Sequence, residues 1–314
     1  QLKKGTQNMT HNLPALSHGS SLSVSLISSS EAFERGLASY NAKNYANALT
    51  EWKAIAEQGN ASAQYNLGLM YDTGEVVSLD YAEALKWYRL AAQQGHAKAQ
   101  SNFGLMYHKG KGILQDFSEA MKWYRRAAEH GGAKALYNLG LMFDNGEAVS
   151  QDYAKALEWY RLAAEKGHAH AQYNLGYMYK DGQGVPQDYA EAAKWYRLAA
   201  EQGDADAQNN LGTMYDTGEG VPQDYAEAAK WYRLAAEQGD ADAQLNLGTI
   251  YALGHGIPQN FIRAHMWFNI AAIKGKADGV KGRNAAAKQM TSVDISKAQT
   301  KAREWTFLHG PSLV

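Results

Sequence analysis

Cysteine is absent from this chain of 314 residues, which excludes disulfide bonds, thiolate metal sites and cysteine nucleophiles. An excess of charge of one sign is absent too, because 31 Lys and Arg residues are balanced by 32 Asp and Glu residues. This balance gives no indication of nucleic acid or an anionic membrane as the partner. No apolar run approaches the ~20 residues that a membrane span needs, so we predict no membrane span.

The N-terminal segment, residues 1–30, is polar and rich in serine. Its apolar stretch from Leu22 to Ile27 is interrupted by serines, which makes it a poor signal peptide. We therefore predict that residues 1–30 are weakly ordered unless they dock on another surface.

Motifs for cofactor binding and catalysis are also missing. Glycine pairs precede Val or Ile, without the strand and the Lys that a phosphate-binding loop requires; they are Gly110/Gly112, Gly182/Gly184, Gly218/Gly220 and Gly254/Gly256. His168 and His170 lie at a turn without a third ligand at a suitable spacing, so we predict no metal site. No nucleophile, base and orienting residue can be grouped from the sequence. We therefore predict no cofactor, no catalytic residue and no enzymatic activity.

A period of 36 residues organises the chain. Glycine recurs with this spacing at Gly68, Gly104, Gly140, Gly176, Gly212 and Gly248. Tryptophan keeps the same step at Trp87, Trp123, Trp159, Trp195, Trp231 and Trp267. Such a period indicates a repeat architecture. It divides residues 61–276 into units one to six, which are residues 61–96, 97–132, 133–168, 169–204, 205–240 and 241–276.

Unit five, Ala205–Asp240, illustrates the local structure that the pattern predicts. Apolar residues at helical spacing predict a first helix, helix A, which ends before Gly218 and Gly220. A second helix, helix B, follows and stops at Gly239. Because two helices cannot bury their apolar faces alone, stacking of successive units must do so. The recurring aromatic residues are therefore interpreted as core.

The start of helix B has the pattern of a capping box. In unit five Asp224 would accept from backbone N–H groups while Glu227 reaches back to the N–H of the cap. In two units the residue three positions after the cap is basic rather than acidic: Lys155 after Asp152, and Arg263 after Asn260. These units therefore lack the acid at the fourth position of the box. We expect a weaker helix start in those two units.

The repeated pattern A-x-A-x-x-x-L-G-x-x-Y-x-x-G-x-G-V-x-x-D-Y-x-x-A-x-x-W-Y-R-x-A-A-x-x-G resembles the Sel-1-like repeat family, a relative of the tetratricopeptide repeat. The resemblance implies an all-α fold, a right-handed α/α solenoid of stacked helix-turn-helix units. Segments such as VPQDYAEAAKWYRLAAEQGDADAQ are similar to bacterial members of the family. The resemblance favours an exported protein, with the cytoplasm as the alternative.

The flanks fit the same scheme. Residues 31–60 resemble a short tetratricopeptide unit and are predicted to form the N-terminal capping helix pair. Residues 277–314 contain an amphipathic pattern from Ser292 to Trp305, and we predict capping helices followed by a tail. Polar capping elements are what an open-ended solenoid needs for solubility.

A binding surface is predicted from the positions that vary between units. The second, fifth, ninth and twelfth positions of helix A lie on one stripe, which by resemblance lines the concave face. Units one to four carry Tyr and Leu there, and Tyr offers a large contact area with a polar group. The predicted partner-binding residues are Tyr65, Asn66, Leu69, Asn102, Leu105, Tyr137, Asn138, Leu141, Tyr173, Asn174 and Tyr177. The alternative is that the Tyr and Leu residues only fill the seam between adjacent A helices.

Asparagine occupies the sixth position of every unit, and two roles are open for it. Its side chain both donates and accepts, so a ladder of Asn could hold the backbone of a bound peptide. Alternatively each Asn joins neighbouring helices, which would explain why no unit lacks it.

Charge also changes along the array. The second position runs from Lys98 and Lys134 to Asp206 and Asp242, so one end of the stripe is basic and the other acidic. This polarity could orient an extended ligand, or it is ordinary solvated charge at turns. The function that these observations favour is a scaffold or adaptor that binds a peptide or partner protein in the concave groove of the A helices. The alternative function is a cell-wall or β-lactam-directed hydrolase or carbohydrate-binding protein on the same solenoid.

Overall fold

The computed structural model describes residues 28–309. The N-terminal segment therefore lies outside the described residues up to residue 27, as do residues 310–314 of the predicted tail. Every regular element between residues 28 and 309 is a helix. The helices are α1 (Ser29–Asn41), α2 (Tyr45–Glu57), α3 (Ala61–Thr73), α4 (Tyr81–Gln93), α5 (Ala97–Lys109), α6 (Phe117–Glu129), α7 (Ala133–Asn145), α8 (Tyr153–Glu165), α9 (Ala169–Asp181), α10 (Tyr189–Glu201), α11 (Ala205–Thr217), α12 (Tyr225–Glu237), α13 (Ala241–Leu253), α14 (Phe261–Ile273), α15 (Ala277–Ala287) and α16 (Ser292–His309).

The helices stack in chain order. Consecutive helices pack against each other from α1 through α15, and α16 packs against α14. Each unit supplies one helix A (odd numbers, α3 to α13) and one helix B (even numbers, α4 to α14). This arrangement confirms the prediction of an all-α solenoid. Its buried core, here called the seam, consists of successive clusters along the stack rather than one central cluster.

The seam depends on small residues that face large ones. A Cβ on Gly68 would lie 2.5 Å from the ring of Tyr88, so only glycine lets the two helices approach this closely. The side chain of Tyr88 is fully buried, and so are its equivalents in units two to five. Most of the repeated tryptophans are only half-buried, at the edge of the seam. Close packing of glycine or alanine against an aromatic ring thus recurs in every unit.

The turn after helix A uses backbone conformations that favour glycine. Gly218 and Gly220 have φ angles of 80° and 71°, in the left-handed region that residues with a Cβ disfavour. Gly220 also lies against the backbone carbonyl of Tyr189 in the preceding unit, where a Cβ would collide. The same residue therefore shapes the turn inside its own unit and packs that unit on the previous one.

Of the two hydrogen bonds that the predicted capping box at helix B requires, only the one accepted by the cap residue is present. The Asp80 side chain does accept from the backbone N–H groups of Ala82 and Glu83. The backbone N–H of Asp80, however, donates to the carbonyl of Tyr71 at 3.0 Å. This N–H therefore does not need a carboxylate at the fourth position as its acceptor. Glu83 instead pairs with Lys86 at 3.2 Å. The acid is thus dispensable for the cap.

The two units without the acid are capped in the same way. Asp152 accepts from Lys155 N–H at 3.0 Å and Asn260 accepts from Arg263 N–H at 2.9 Å. The backbone N–H groups of both cap residues donate to carbonyls of the preceding helix A. We expected a weaker helix start here because these two units lack the acid at the fourth position. That reasoning is wrong, because the acid is not part of the cap in the other units either.

Candidate functional site

The A helices of units one to three share one surface. A cavity of about 420 Å³ is lined by residues of α3, α5 and the start of α7, among them Tyr65, Leu69, Lys98, Ser101, Asn102 and Lys134. Because one cavity spans three successive A helices, these helices lie side by side on one face. We call this surface the A-helix face and this cavity the Ser101 cavity.

A second cavity continues the first toward the N-terminus. It has a volume of about 340 Å³ and shares Tyr65, Ala97 and Lys98 with the Ser101 cavity. Its far side is formed by Phe33 of α1. Together the two cavities form a trough that crosses α1 and the A helices α3, α5 and α7.

Three of the predicted binding residues in units one and two, Tyr65, Leu69 and Asn102, therefore line one cavity. Asn66 and Leu69 also border a smaller space of about 150 Å³ between α1 and α3, beside Trp52. Leu105 and Leu141 are half-buried at the equivalent positions of α5 and α7. Tyr177 of α9 is 38% exposed, so it projects further into solvent than the leucines of the same row.

The tyrosines of the row are held by the residues around them. Tyr65 stacks on His96 with ring centres 4.8 Å apart, and Tyr137 stacks on His168 at 4.5 Å. Tyr173 contacts the ring of the buried Tyr196 at 5.8 Å. Burial raises the pKa of the Tyr65, Tyr137 and Tyr173 hydroxyls above the ordinary value, so they stay uncharged donors at neutral pH.

His96 and His168 have a role that the sequence reasoning missed. Each is the N-cap residue of the following helix A, and its Nδ1 accepts the N–H of Ala99 at 3.2 Å or of Ala171 at 3.3 Å. Burial is the main cause that lowers the pKa of both imidazoles. The sequence did contain a signal for this capping role. Asn or Asp, which are typical N-cap residues, occupy the equivalent position before other A helices.

The asparagine row contributes to the stack. Asn102 donates to the hydroxyl of Tyr88 in the preceding unit at 3.0 Å, and Asn246 donates to Asn209 at 3.1 Å. Asn138 differs: it is 7% exposed and its Nδ2 has no hydrogen-bond partner between residues 28 and 309. Asn102 and Asn246 therefore join neighbouring units through hydrogen bonds. The Nδ2 donor of Asn138 is not used in this way.

The buried tyrosines of helix B form a polar network that sequence reasoning also missed. The Tyr160 hydroxyl donates to Asp144 at 2.9 Å, and Tyr88 and Tyr232 make the equivalent bond at 3.4 Å. In unit two His108 replaces the acid, 3.4 Å from the Tyr124 hydroxyl and 3.0 Å from Glu147.

Unit four departs from the pattern. Lys180 stands in the place of the acid, and the Tyr196 hydroxyl has no hydrogen-bond partner within the described part of the chain.

The charges of the A-helix face follow the predicted order. Lys98 and Lys134 are exposed at the N-terminal end, whereas Asp206 and Asp242 are exposed at the other end. Asp242 pairs with Lys276 at 2.6 Å. Burial, and then the neighbouring acids, raise the pKa of Asp240, which is consistent with an accumulation of negative charge there.

Residues 28–309 contain no group of three or more His, Asp or Glu side chains that could hold a metal ion. Over the same range no helix combines the length and the apolar character needed to cross a membrane.

Comparison with known proteins gives the following matches. The family model described as Sel1 repeat matches residues 61–96, 97–132, 133–168, 169–204, 205–240 and 241–276. A Sel1 repeat protein from Oxalobacter formigenes is 39% identical, with a TM-score of 0.67 over 76% of this chain and 96% of that chain. A protective antigen of uropathogenic Escherichia coli strains, which displays the SLR fold, is 27% identical, with a TM-score of 0.50 over 90% of this chain and 85% of that chain. The comparison with curated proteins gives no match.

Proposed function

The chain belongs to the Sel1 repeat family, and from this premise we propose that it binds an extended segment of a partner protein on the A-helix face of units one to four. Sel1 repeat solenoids are generally non-catalytic scaffolds for protein interactions. In this proposal the A-helix face is the concave groove of the solenoid, and its binding residues are the Tyr, Leu and Asn side chains predicted from the sequence.

The observation that carries the proposal is the trough across successive A helices. An extended segment needs a continuous surface with apolar contacts and polar groups beside them. The trough supplies Phe33, Tyr65 and Leu69 for apolar contact, with Asn102 and Lys98 at hand for polar contact. The half-buried Tyr137 and Tyr173 extend the aromatic row beyond it, and they lose little side-chain freedom on binding because neighbouring rings already hold them.

The test combines peptide selection with two substitutions. Random dodecapeptides displayed between flexible linkers are selected on the full chain, and selected peptides are then measured by fluorescence anisotropy. We expect Tyr137→Ala with Tyr173→Ala to weaken binding by about tenfold or more, as loss of aromatic contacts at an interface does. Tyr189→Ala, which removes a half-buried tyrosine at the start of helix α10, is the matched control.

Helical content is measured in parallel by circular dichroism. Unchanged binding in a folded Tyr137→Ala/Tyr173→Ala variant would contradict the proposal, and so would an equal loss in the Tyr189→Ala control. The alternative of a hydrolase or carbohydrate-binding protein requires an enclosed pocket with carboxylates of shifted pKa. The two cavities of the trough have no carboxylate in their lining, so they do not favour that alternative.

A further inference from the structure

The units of the stack are hard to distinguish by their apolar packing. Residues 184–208 recur without change as residues 220–244. The glycine of helix A meets the aromatic ring of helix B in every unit, so the apolar surfaces of successive units are alike. Repeat proteins are therefore exposed to misassembly, in which a unit stacks on the wrong neighbour or on a unit of another copy. Only features that differ from one junction to the next can favour the correct order.

Two junctions carry an acid and a base at the same two positions of successive units. Asp72, at the twelfth position of unit one, pairs with Lys111, at the fifteenth position of unit two, at 3.3 Å. His108, at the twelfth position of unit two, lies 3.0 Å from Glu147, at the fifteenth position of unit three. Both pairs span 39 residues. The acid is thus on the earlier unit at one junction and on the later unit at the next.

The loop that carries the fifteenth position docks in the same way at the other junctions. Its next residue is a glycine that packs on the backbone at the start of the preceding helix B, as seen for Gly112, Gly184, Gly220 and Gly256. His255, at the fifteenth position of unit six, lies on the ring of Tyr225 with ring centres 4.6 Å apart. The Lys111 Nζ lies 4.9 Å from the centre of the Tyr81 ring, the equivalent of Tyr225. The fifteenth position therefore faces the preceding unit at the same place along the stack.

Acids and bases alternate at these two positions. From unit one to unit six the twelfth position carries Asp72, His108, Asp144, Lys180, Asp216 and Ala252. From unit two to unit six the fifteenth position carries Lys111, Glu147, Gln183, Glu219 and His255. Each of the five junctions between units one and six therefore combines an acid with a base or, at Asp144 and Gln183, with a neutral amide.

Stacking that skips one unit would bring like charges together. Unit three on unit one would place Glu147 against Asp72, and both side chains are acidic. Unit five on unit three would place Glu219 against Asp144, again acid against acid. Juxtaposed like charges are unfavourable. The alternation therefore penalises the wrong neighbour while it favours the right one, which is how charge patterns give specificity.

We propose that the alternating charges of the twelfth and fifteenth positions specify which unit stacks on which during folding. The apolar seam supplies the stability of the stack, and the charge pairs supply the order of its units. A pair that only stabilised its junction would not need to reverse its sign at the next junction. The inference does not depend on what the A-helix face binds.

The first test measures the pair at the junction where the pattern is neutral. Gln183→Lys places a base against Asp144, and Gln183→Glu places a second acid there. We expect the lysine to stabilise and the glutamate to destabilise the fold, each changing the unfolding equilibrium constant in urea about threefold at low ionic strength. In an Asp144→Asn background the difference between the two variants should vanish, because the facing charge is gone.

The second test removes the alternation without removing the attraction. A uniform variant has an acid at the twelfth position and a base at the fifteenth position of all five junctions. Its substitutions are His108→Asp, Glu147→Lys, Lys180→Asp, Gln183→Lys and Glu219→Lys. Gln183→Lys alone is the matched control, because it combines an acid with a base at every true junction and keeps the alternation. The two variants therefore differ in the penalty for skipping a unit.

The order of the units is measured with disulfide reporters, since the chain has no cysteine of its own. The fifth position of one unit lies beside the sixth position of the next, because Asn246 donates to Asn209 at 3.1 Å. Tyr137→Cys with Asn210→Cys can therefore join only when unit five stacks on unit three. Tyr137→Cys with Asn174→Cys reports the correct order. Each pair is built into both variants, which are refolded from urea under oxidising conditions and analysed by non-reducing electrophoresis and mass spectrometry.

We expect about threefold more of the wrong-order disulfide in the uniform variant than in Gln183→Lys, with the correct-order disulfide formed in both. Equal amounts of the wrong-order disulfide would overturn the proposal and leave the pairs as local stabilisation. The first test decides independently of whether the uniform variant folds. Equal unfolding equilibrium constants for Gln183→Lys and Gln183→Glu, or a difference that persists with Asp144→Asn, would show that the fifteenth position does not sense the facing charge, and the proposal would be wrong.

Discussion

Units three and six have the same helix pair but fill its interior differently. In unit three the Tyr160 hydroxyl donates to Asp144 at 2.9 Å. Asn174 of the next unit occupies the position from which Asn102 donates to the Tyr88 hydroxyl. In unit six the three equivalent positions are apolar, namely Phe268, Ala252 and Gly282. In unit six the three polar groups are replaced together, which leaves no buried donor or acceptor of the set unpaired. Unit four shows the cost of a partial replacement, because it lacks only the acid and its Tyr196 hydroxyl has no partner within residues 28–309. The comparison teaches that these three positions act together in the packing of a unit.

The close contact of glycine with the aromatic ring is common to both units and gives the largest expected effect. A Cβ on Gly140 would lie 2.5 Å from the Tyr160 ring, and one on Gly248 would lie 2.8 Å from the Phe268 ring. We expect Gly140→Ala and Gly248→Ala each to lower the free energy of unfolding by about 3 kcal/mol, as overpacking does. Urea unfolding followed by circular dichroism measures it. A loss in only one unit would contradict the shared packing.

Exchange of the aromatic residues tests the difference between the units. Phe268→Tyr places a hydroxyl beside Ala252 and Gly282, where it lacks the acid of unit three, and should cost about 2 kcal/mol. Tyr160→Phe leaves the half-exposed Asp144 in contact with solvent and should cost about 1 kcal/mol. Adding Ala252→Asp to Phe268→Tyr should recover part of the loss. Urea unfolding measures the free energy of unfolding of each variant. An equal decrease for Phe268→Tyr and Tyr160→Phe would contradict the difference between the two units.

The last residue of each unit is the N-cap residue of the next helix, and a histidine at this position predicts a pH dependence for units one and three but not for unit six. His168 Nδ1 accepts the Ala171 N–H only when the imidazole is unprotonated at that atom, whereas Lys276 of unit six makes no side-chain cap. Burial, followed by the charges of His170 and Lys134, holds the pKa of His168 below its ordinary value of 6.5. Protonation therefore favours the unfolded chain.

The cap's stability is fully present above the unfolded pKa of 6.5 and is lost as the pH falls from there through the lower folded pKa. His168→Asp should remove this dependence, because Asp stays ionised over that window and caps other units in the same way. We expect a cap contribution of about 1 kcal/mol. Unfolding curves at a series of pH values measure it, and His96→Asp provides the second pH-dependent cap as a control. An identical pH profile for the wild type and a variant that carries both His96→Asp and His168→Asp would contradict the assignment.

The smallest effect is expected in the loop after helix A. Ala148 of unit three has a φ of 62°, where unit six has Gly256 at 66°. A residue with a Cβ is strained in this region, so Ala148→Gly should raise the free energy of unfolding by about 0.5 kcal/mol after the entropy cost of glycine. Urea unfolding with replicate titrations resolves it, and a destabilisation would mean that the Cβ of Ala148 contributes packing that exceeds the strain.

Much of the fold could be predicted from the sequence because local signals agree with the period. Gly218 and Gly220 predict the end of helix A, and Asp224 predicts the start of helix B, without any knowledge of neighbours in space. The capping box failed for a non-local reason, since the N–H of Asp80 is satisfied by the carbonyl of Tyr71 across the loop. The roles of His96 and His168 were missed because a histidine cap resembles ordinary turn charge in a sequence.

The proposed binding surface was less accessible to sequence reasoning. The stripe of Tyr65, Tyr137 and Tyr173 follows from helical spacing alone. The burial of Ser101, whose Oγ makes no hydrogen bond within residues 28–309, does not follow from that spacing, because it depends on neighbours in the adjacent helices. The same holds for Asn138, which the period makes equivalent to Asn102 although only Asn102 has a hydroxyl within reach.

The period of 36 residues, together with the helical spacing of apolar residues and the glycine turn within each unit, determined that this chain is a stack of helix pairs. Stacking is what buries the glycine, alanine and aromatic positions that recur in every unit. The tertiary structure alone decided which polar groups are satisfied. Tyr88 meets Asp72 sixteen residues earlier and Asn102 fourteen residues later, and Asn246 meets Asn209 thirty-seven residues before it. These partners depend on how helix B packs on the next helix A and how successive A helices lie side by side, and a hydrogen bond is made or lost within a fraction of an ångström.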